Sequence, residues 1–191
     1  MVRLIILLAT LAIALPFLIS QAAMPFGRAV SERFLERPTS SDDPRYTIPS
    51  EAAAGKALNG DTLTDWVQTQ GRLAKGYTTR VVPLDILYLV FLGTFLGIAS
   101  TTLAGMTQWP PILSHVRTWV FWLLPALYIF CDLAEDSLIL TMLNWPSTIR
   151  SVAFAALTTL RSLKIASVSL GFVQVLLLCG LSYIWPTALR S

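Results

Sequence analysis

Four long apolar segments constrain this chain more than any other feature of its sequence. They cover about residues 4–23, 82–105, 118–143 and 166–185 of a chain of 191 residues. An α-helix of about 20 apolar residues crosses the hydrocarbon core of a bilayer, where a helix satisfies its backbone hydrogen bonds internally. Only 13% of the residues are charged, compared with about 25% in soluble proteins. We therefore predict an all-α integral membrane protein, a four-helix bundle formed by one membrane domain over residues 1–191.

The first apolar segment allows two interpretations. It follows a single basic residue, Arg3, and Ser20-Gln21-Ala22 is a tolerable cleavage site, so it has the pattern of a signal peptide. Its apolar run of about 20 residues is also long enough to span the membrane. We favour a retained transmembrane helix, in which Pro16 is tolerated.

The polar segment of about residues 24–80 is predicted to be a helical loop outside the membrane. Apolar residues recur at helical spacing among charged ones until Arg37-Pro38 ends the pattern, which indicates a short amphipathic helix at the interface. Asp61 is a candidate cap for a further helix with Trp66 on its apolar stripe. We interpret the loop as a helical cap packed on the bundle, and the alternative is a ligand-binding lid.

The segment of about residues 147–164 has apolar residues at helical spacing but also carries Arg150, Arg161 and Lys164. Three bases make it too charged for an unpaired membrane span. We predict an interfacial helix here, either separate from the fourth span or continuous with it.

Orientation depends on the basic residues in short loops, which favour the cytoplasmic side. In a four-span bundle, Arg3, Arg117 and Arg190 lie on one side, and the bases of residues 150–164 lie on the other. We take the amino terminus as cytoplasmic.

Small residues recur every four positions along the second span. They are Gly93, Gly97, Thr101 and Gly105. Such a face allows two helix backbones to approach closely in lipid, where packing replaces the hydrophobic drive between helices. We predict that this face packs against another helix, which could belong to the same chain or to another subunit.

Three carboxylates interrupt the third apolar segment. Asp132, Glu135 and Asp136 fall at positions i, i+3 and i+4, so they project from one face of a helix. A carboxylate in a membrane segment is costly and usually faces the bundle interior, a cavity or a partner charge. This acidic face is the part of the chain that most needs an explanation beyond spanning a bilayer.

Four antiparallel spans would bring further charged residues to the same side of the membrane as this face. Asp85 starts the second span, and Arg161 and Lys164 precede the fourth. Together these six residues form a candidate polar or ion site. Three interpretations stay open: an ion-paired layer that sets helix register, a site for a proton, a cation or a cationic head group, and a contact with another subunit.

Several function classes find no support in the sequence. There is no phosphate-binding loop, no dinucleotide fingerprint and no zinc-ligand spacing. The single histidine, His115, is predicted at the membrane face opposite the carboxylates, which argues against nucleophilic catalysis. A net charge of +3, with bases alternating with acids in the polar loop, does not suggest nucleic-acid binding. We therefore predict no catalytic residue, metal or cofactor, and we do not expect an enzyme.

Short motifs give the chain a resemblance to a known group of proteins. Leu84-Asp85-x-x-Tyr88 opens the second span, Asp132-x-x-Glu135-Asp136 ends the third, and a basic residue, Lys164, precedes the fourth. This pattern, between Asp61 and Trp185, resembles small bacterial four-helix membrane proteins in which an asparagine takes the place of Asp136. The resemblance implies a four-helix architecture in a bacterial inner membrane and implies no activity.

These features together indicate a non-enzymatic accessory or scaffold component. We expect it to pack with itself or with a larger complex in the lipid bilayer, through the small-residue face. The alternative is a protein that handles protons, cations or lipid head groups with the carboxylates of Asp132, Glu135 and Asp136.

Overall fold

The computed structural model describes residues 2–23, 64, 67–69, 71–109, 115–149 and 151–185. Within these residues the chain is helical and forms no strand, as the fold class predicted from the sequence requires. The described α-helices are α1 (Val2–Ala23), α2 (Gly71–Gly76), α3 (Val82–Gly105), α4 (Leu123–Asn144) and α5 (Ser151–Ile184).

Three stretches of helix are long and apolar enough to cross a membrane, which supports a membrane protein. They are Arg3–Ala22 in α1, Ala74–Gly105 ending with α3, and Ala155–Ile184 in α5. Four spans were predicted, and α4 is the one that does not qualify. Any 18 consecutive residues of this 22-residue helix include the three carboxylates of the acidic face, which is more charge than an ordinary span carries.

Most of the predicted polar loop lies outside the described residues. This includes the amphipathic helix ending at Arg37-Pro38 and the predicted cap Asp61. Near the end of this loop Val67 is buried, and the short helix α2 follows it.

An irregular turn immediately before α3 is explained by the sequence. Residues Tyr77–Val81 form a π-helix, closed by a hydrogen bond from the Val82 backbone N–H to the Tyr77 carbonyl. Pro83 follows immediately, and a proline inside a helix removes one backbone donor and clashes with the carbonyl four residues earlier. A wider turn before the proline relieves that clash, as π-bulges commonly do.

The ends of α4 also follow from local sequence. A 3-10 helix, Thr118–Trp122, leads into α4, and Pro125 lies in its first turn, where a backbone N–H has no helical partner. The helix ends at Asn144 because Pro146 disfavours a helical conformation in the residue before it.

Helix α5 matches one of the two alternatives for residues 147–164, in which this segment is continuous with the fourth predicted span. The structure has one continuous helix of 34 residues, Ser151–Ile184, and the preceding Pro146–Thr148 forms a 3-10 turn. Arg161 and Lys164 do not interrupt the helix, because neither residue opposes helical backbone geometry.

The chain divides into two compact units. Unit 1 comprises the described parts of residues 1–16, 86–134 and 159–191. Its core consists of buried Leu89, Leu92, Leu96 and Tyr128, with apolar residues of α1 and α5 packed against it. This core joins all four long helices, since Ala12 and Val168 are among the packed residues.

Unit 2 comprises the described parts of residues 17–85 and 135–158. Its core combines Val67 and Ala74 with Ile139 and Met142 of α4 and with Leu157 of α5. The described end of the predicted polar loop therefore packs on α4 and α5 within this unit.

Candidate functional site

The acidic face of α4 is buried in the protein, and the opposite face of the helix is apolar and exposed. Asp132, Glu135 and Asp136 are each at most 4% exposed. The large exposed side chains of the helix are Leu123, Leu127, Phe130 and Leu133, and Phe130 is 68% exposed. A helix on the surface of a soluble protein has the reverse arrangement, with apolar residues inside and charges outside.

In unit 1, Asp132 forms an ion pair with Lys164. The distance between Lys164 Nζ and Asp132 Oδ1 is 2.5 Å, and the lysine side chain is 27% exposed. The pair links the middle of α4 to α5 and supplies the opposite charge that a buried carboxylate needs. Arg161 lies one turn before Lys164 on α5, is half-buried and has an interaction of its own within the protein.

In unit 2, Asp85 and Asp136 come close together. One carboxylate oxygen of each residue lies within 4.8 Å of the other. Asp85 is half-buried at the start of α3, and Glu135 lies beside Asp136 on α4. All three residues have interactions within the protein. Paired carboxylate oxygens can share a hydrated or partly hydrated divalent cation, because magnesium and calcium prefer oxygen ligands.

The small-residue face of α3 is occupied by side chains of the same chain at two of its four positions. A Cβ atom added to Gly93 would come within 2.5 Å of Ile129 on α4, and one added to Gly97 would overlap the ring of Trp122. Thr101 Oγ1 donates to the Gly97 carbonyl at 2.9 Å. Only Gly105 has open space around it. Gly93 and Gly97 therefore serve packing within the chain.

A polar contact that sequence reasoning missed lies in the core of unit 1. The side-chain amide of Gln174 on α5 donates to Ser100 Oγ at 2.8 Å and to the Phe121 carbonyl at 3.0 Å. Ser100 is fully buried. The signal was available, because an amide in an apolar span usually bonds to a neighbouring helix.

Comparisons with known proteins give no match: no family model, no curated protein and no solved structure matches this chain. The resemblance to small bacterial four-helix membrane proteins stays a prediction. The chemistry of the site itself is limited to carboxylates and amines, which can pair, exchange protons or bind cations.

Proposed function

We propose that this chain is a four-span protein of a bacterial plasma membrane, with α4 as its third span. The observation that carries the proposal is the arrangement of α4, which buries Asp132, Glu135 and Asp136 and exposes leucines and a phenylalanine. Such a surface suits lipid and is unfavourable in water. Lys164 offsets the desolvation of Asp132, so the acids do not prevent α4 from lying in the bilayer.

Within that topology we propose a non-enzymatic role as an accessory or scaffold component. The apolar surfaces of α1 and α5 support this role, because only 11% and 17% of their candidate spans are buried, against 39% for the span that includes α3. These faces are open to lipid and to a neighbouring membrane protein. Since Gly93 and Gly97 pack within the chain, we expect association through α5, whose exposed face includes Leu176 and Leu177.

Gentle detergent purification with mass spectrometry of the co-eluting proteins tests this role. We expect the tagged chain to elute with a second copy of itself or with another membrane protein at a fixed stoichiometry. The double variant Leu176→Ala/Leu177→Ala should lose that partner, whereas Phe130→Ala, on the exposed face of α4, serves as the matched control. A wild-type chain that elutes as a lone monomer would contradict the accessory role.

A second candidate function is the handling of a cation by the carboxylates of α4. The observation in its favour is the approach of Asp85 and Asp136 to within 4.8 Å in unit 2, with Glu135 buried beside them. A proton or a cationic lipid head group would use the same oxygen atoms.

Thermal unfolding in detergent with and without magnesium, manganese or calcium tests the second candidate. A cation that binds only the folded state must raise its stability, by about 2.7 kcal/mol at a concentration of about 100 times Kd. Asp136→Asn should abolish the increase, and Asp136→Glu, which keeps a carboxylate, should retain part of it. If no divalent cation changes the unfolding temperature of the wild-type protein, a metal role for these residues is wrong.

A further inference from the structure

One end of unit 1 carries a concentration of aromatic side chains. Here the residues that follow α3 contact the 3-10 helix before α4 and the end of α5. The Gln108 backbone N–H donates to the Trp185 carbonyl at 2.9 Å. The ring of Trp109 stacks on Phe121 with centroids 6.0 Å apart. We call this region the aromatic edge, and it comprises Met106, Trp109, Arg117, Trp119, Tyr183 and Trp185.

The large side chains of the aromatic edge are turned outward. Trp119 is 57% exposed and Trp185 is 54% exposed, and Met106 and Tyr183 are exposed as well. Trp109 is held differently, because its indole Nε1 donates to the Ala104 carbonyl at 2.8 Å and so caps the end of α3. Exposed tryptophan and tyrosine at the ends of apolar helices match the polar–apolar boundary of a bilayer, where one part of the ring contacts lipid and the other contacts water.

The charge of the aromatic edge is positive. Arg117 is exposed there, and the segments that form the edge, residues 104–109, 115–122 and 181–185, contain no acidic residue. In the described part of unit 1 the acid is Asp132, which is buried and paired with Lys164. An exposed base beside interfacial aromatic residues, with no acid among them, is complementary to the phosphate of an anionic lipid.

We propose that the aromatic edge lies in the head-group layer of the membrane, where Arg117 binds the phosphate groups of anionic phospholipids. The proposal rests on the membrane topology proposed above and adds the lipid class. Arginine suits this task because its planar guanidinium forms two parallel hydrogen bonds with phosphate oxygens.

Lipid titration of the purified full-length protein tests the proposal. The protein in a neutral detergent receives either phosphatidylglycerol or phosphatidylcholine, and the unfolding temperature is measured at each lipid concentration. We expect phosphatidylglycerol to raise the unfolding temperature more than phosphatidylcholine does. In Arg117→Gln the apparent affinity for phosphatidylglycerol should fall about fivefold, the effect of about 1 kcal/mol per basic residue near an anionic membrane surface.

Arg72→Gln is the matched control, because Arg72 is an exposed arginine of unit 2 and lies outside the aromatic edge. This variant should respond to phosphatidylglycerol as the wild type does. Equal responses of Arg117→Gln and the wild type would overturn the proposal, as would equal responses to the two lipids. Retention of the wild-type chain in alkali-washed membranes is measured in parallel. Loss of the chain from those membranes would overturn the membrane topology itself, and retention without a lipid preference would overturn only this inference.

Discussion

Lys164 is the residue on which the burial of Asp132 depends. A carboxylate that is 1% exposed has lost most of its hydration, and an opposite charge at hydrogen-bond distance compensates part of that loss.

Replacing Lys164 with methionine should lower the free energy of unfolding by about 3 kcal/mol, because the buried Asp132 carboxylate then loses the opposite charge of Lys164. The double variant Lys164→Met/Asp132→Asn should recover most of this loss, since neither charge remains. Unfolding of the purified protein in detergent, followed by circular dichroism, measures both effects.

Lys75→Met is the control for this pair, because Lys75 is an exposed lysine of unit 2, and its replacement should leave the stability nearly unchanged. Additive losses from Lys164→Met and Asp132→Asn would mean that the two side chains do not stabilise each other.

Residue-level prediction from the sequence identified the charged groups but could not assign their partners. Six residues were expected to form a polar site, and helical periodicity predicted Asp132, Glu135 and Asp136 on one face; all three are buried. Periodicity gives no register between two helices, so it could not predict that Lys164 pairs with Asp132. The contact of Gln174 with Ser100 depends on the same inter-helix register and was missed for the same reason.

At the scale of helices, the central part and the end of α3 differ in their packing. Its central part packs closely on α4 and on the preceding 3-10 helix, because Gly93 and Gly97 leave room for Ile129 and Trp122. At its end, Gly105 is open and Trp109 returns to bond to the Ala104 carbonyl. The small-residue pattern predicted helix packing, and the sequence alone left open which helix would be the neighbour.

Gly97→Ala and Gly105→Ala should therefore have different effects on stability. The new methyl group at position 97 meets the Trp122 ring, and such overpacking costs about 1–3 kcal/mol. At position 105 nothing lies within 4 Å, and alanine favours a helix over glycine, so the stability should be unchanged or slightly higher. Thermal unfolding of both variants in one detergent measures the difference.

The variant Gly97→Ala/Trp122→Leu provides the control for this explanation. If the ring of Trp122 causes the strain, the smaller leucine should make position 97 tolerant of alanine. A loss at position 97 that persists with Trp122→Leu would show that another contact is responsible. Equal stabilities of the two single glycine variants would contradict the packing account.

Prediction of helix existence was more successful than prediction of contacts between helices. An apolar run of span length has few alternatives to a helix, and α1 and α3 cover the residues of the first two predicted spans. For residues 147–164 the sequence left open a separate helix and one continuous with the fourth span, and α5 is continuous. The sequence could not choose between them, because the pairing of Lys164 with Asp132 joins distant segments and is not visible in local composition.

At the scale of the whole molecule, the number of membrane crossings is the central question. Helix length and composition alone support three crossings, through α1, α3 and α5. The buried acids, the ion pair with Lys164 and the exposed apolar face of α4 all favour a fourth. A charged helix can enter a bilayer when its charges face protein, because lipid then contacts only its apolar residues.

Labelling of single cysteines with a membrane-impermeant maleimide tests this claim most directly. In a Cys131→Ala/Cys179→Ala background, Gln108→Cys reports on the connection between α3 and α4, and Ser147→Cys reports on the connection between α4 and α5. Both positions are exposed. If α4 crosses the membrane, the two cysteines react from opposite sides of intact vesicles. Reaction of both cysteines from the same side would contradict the account.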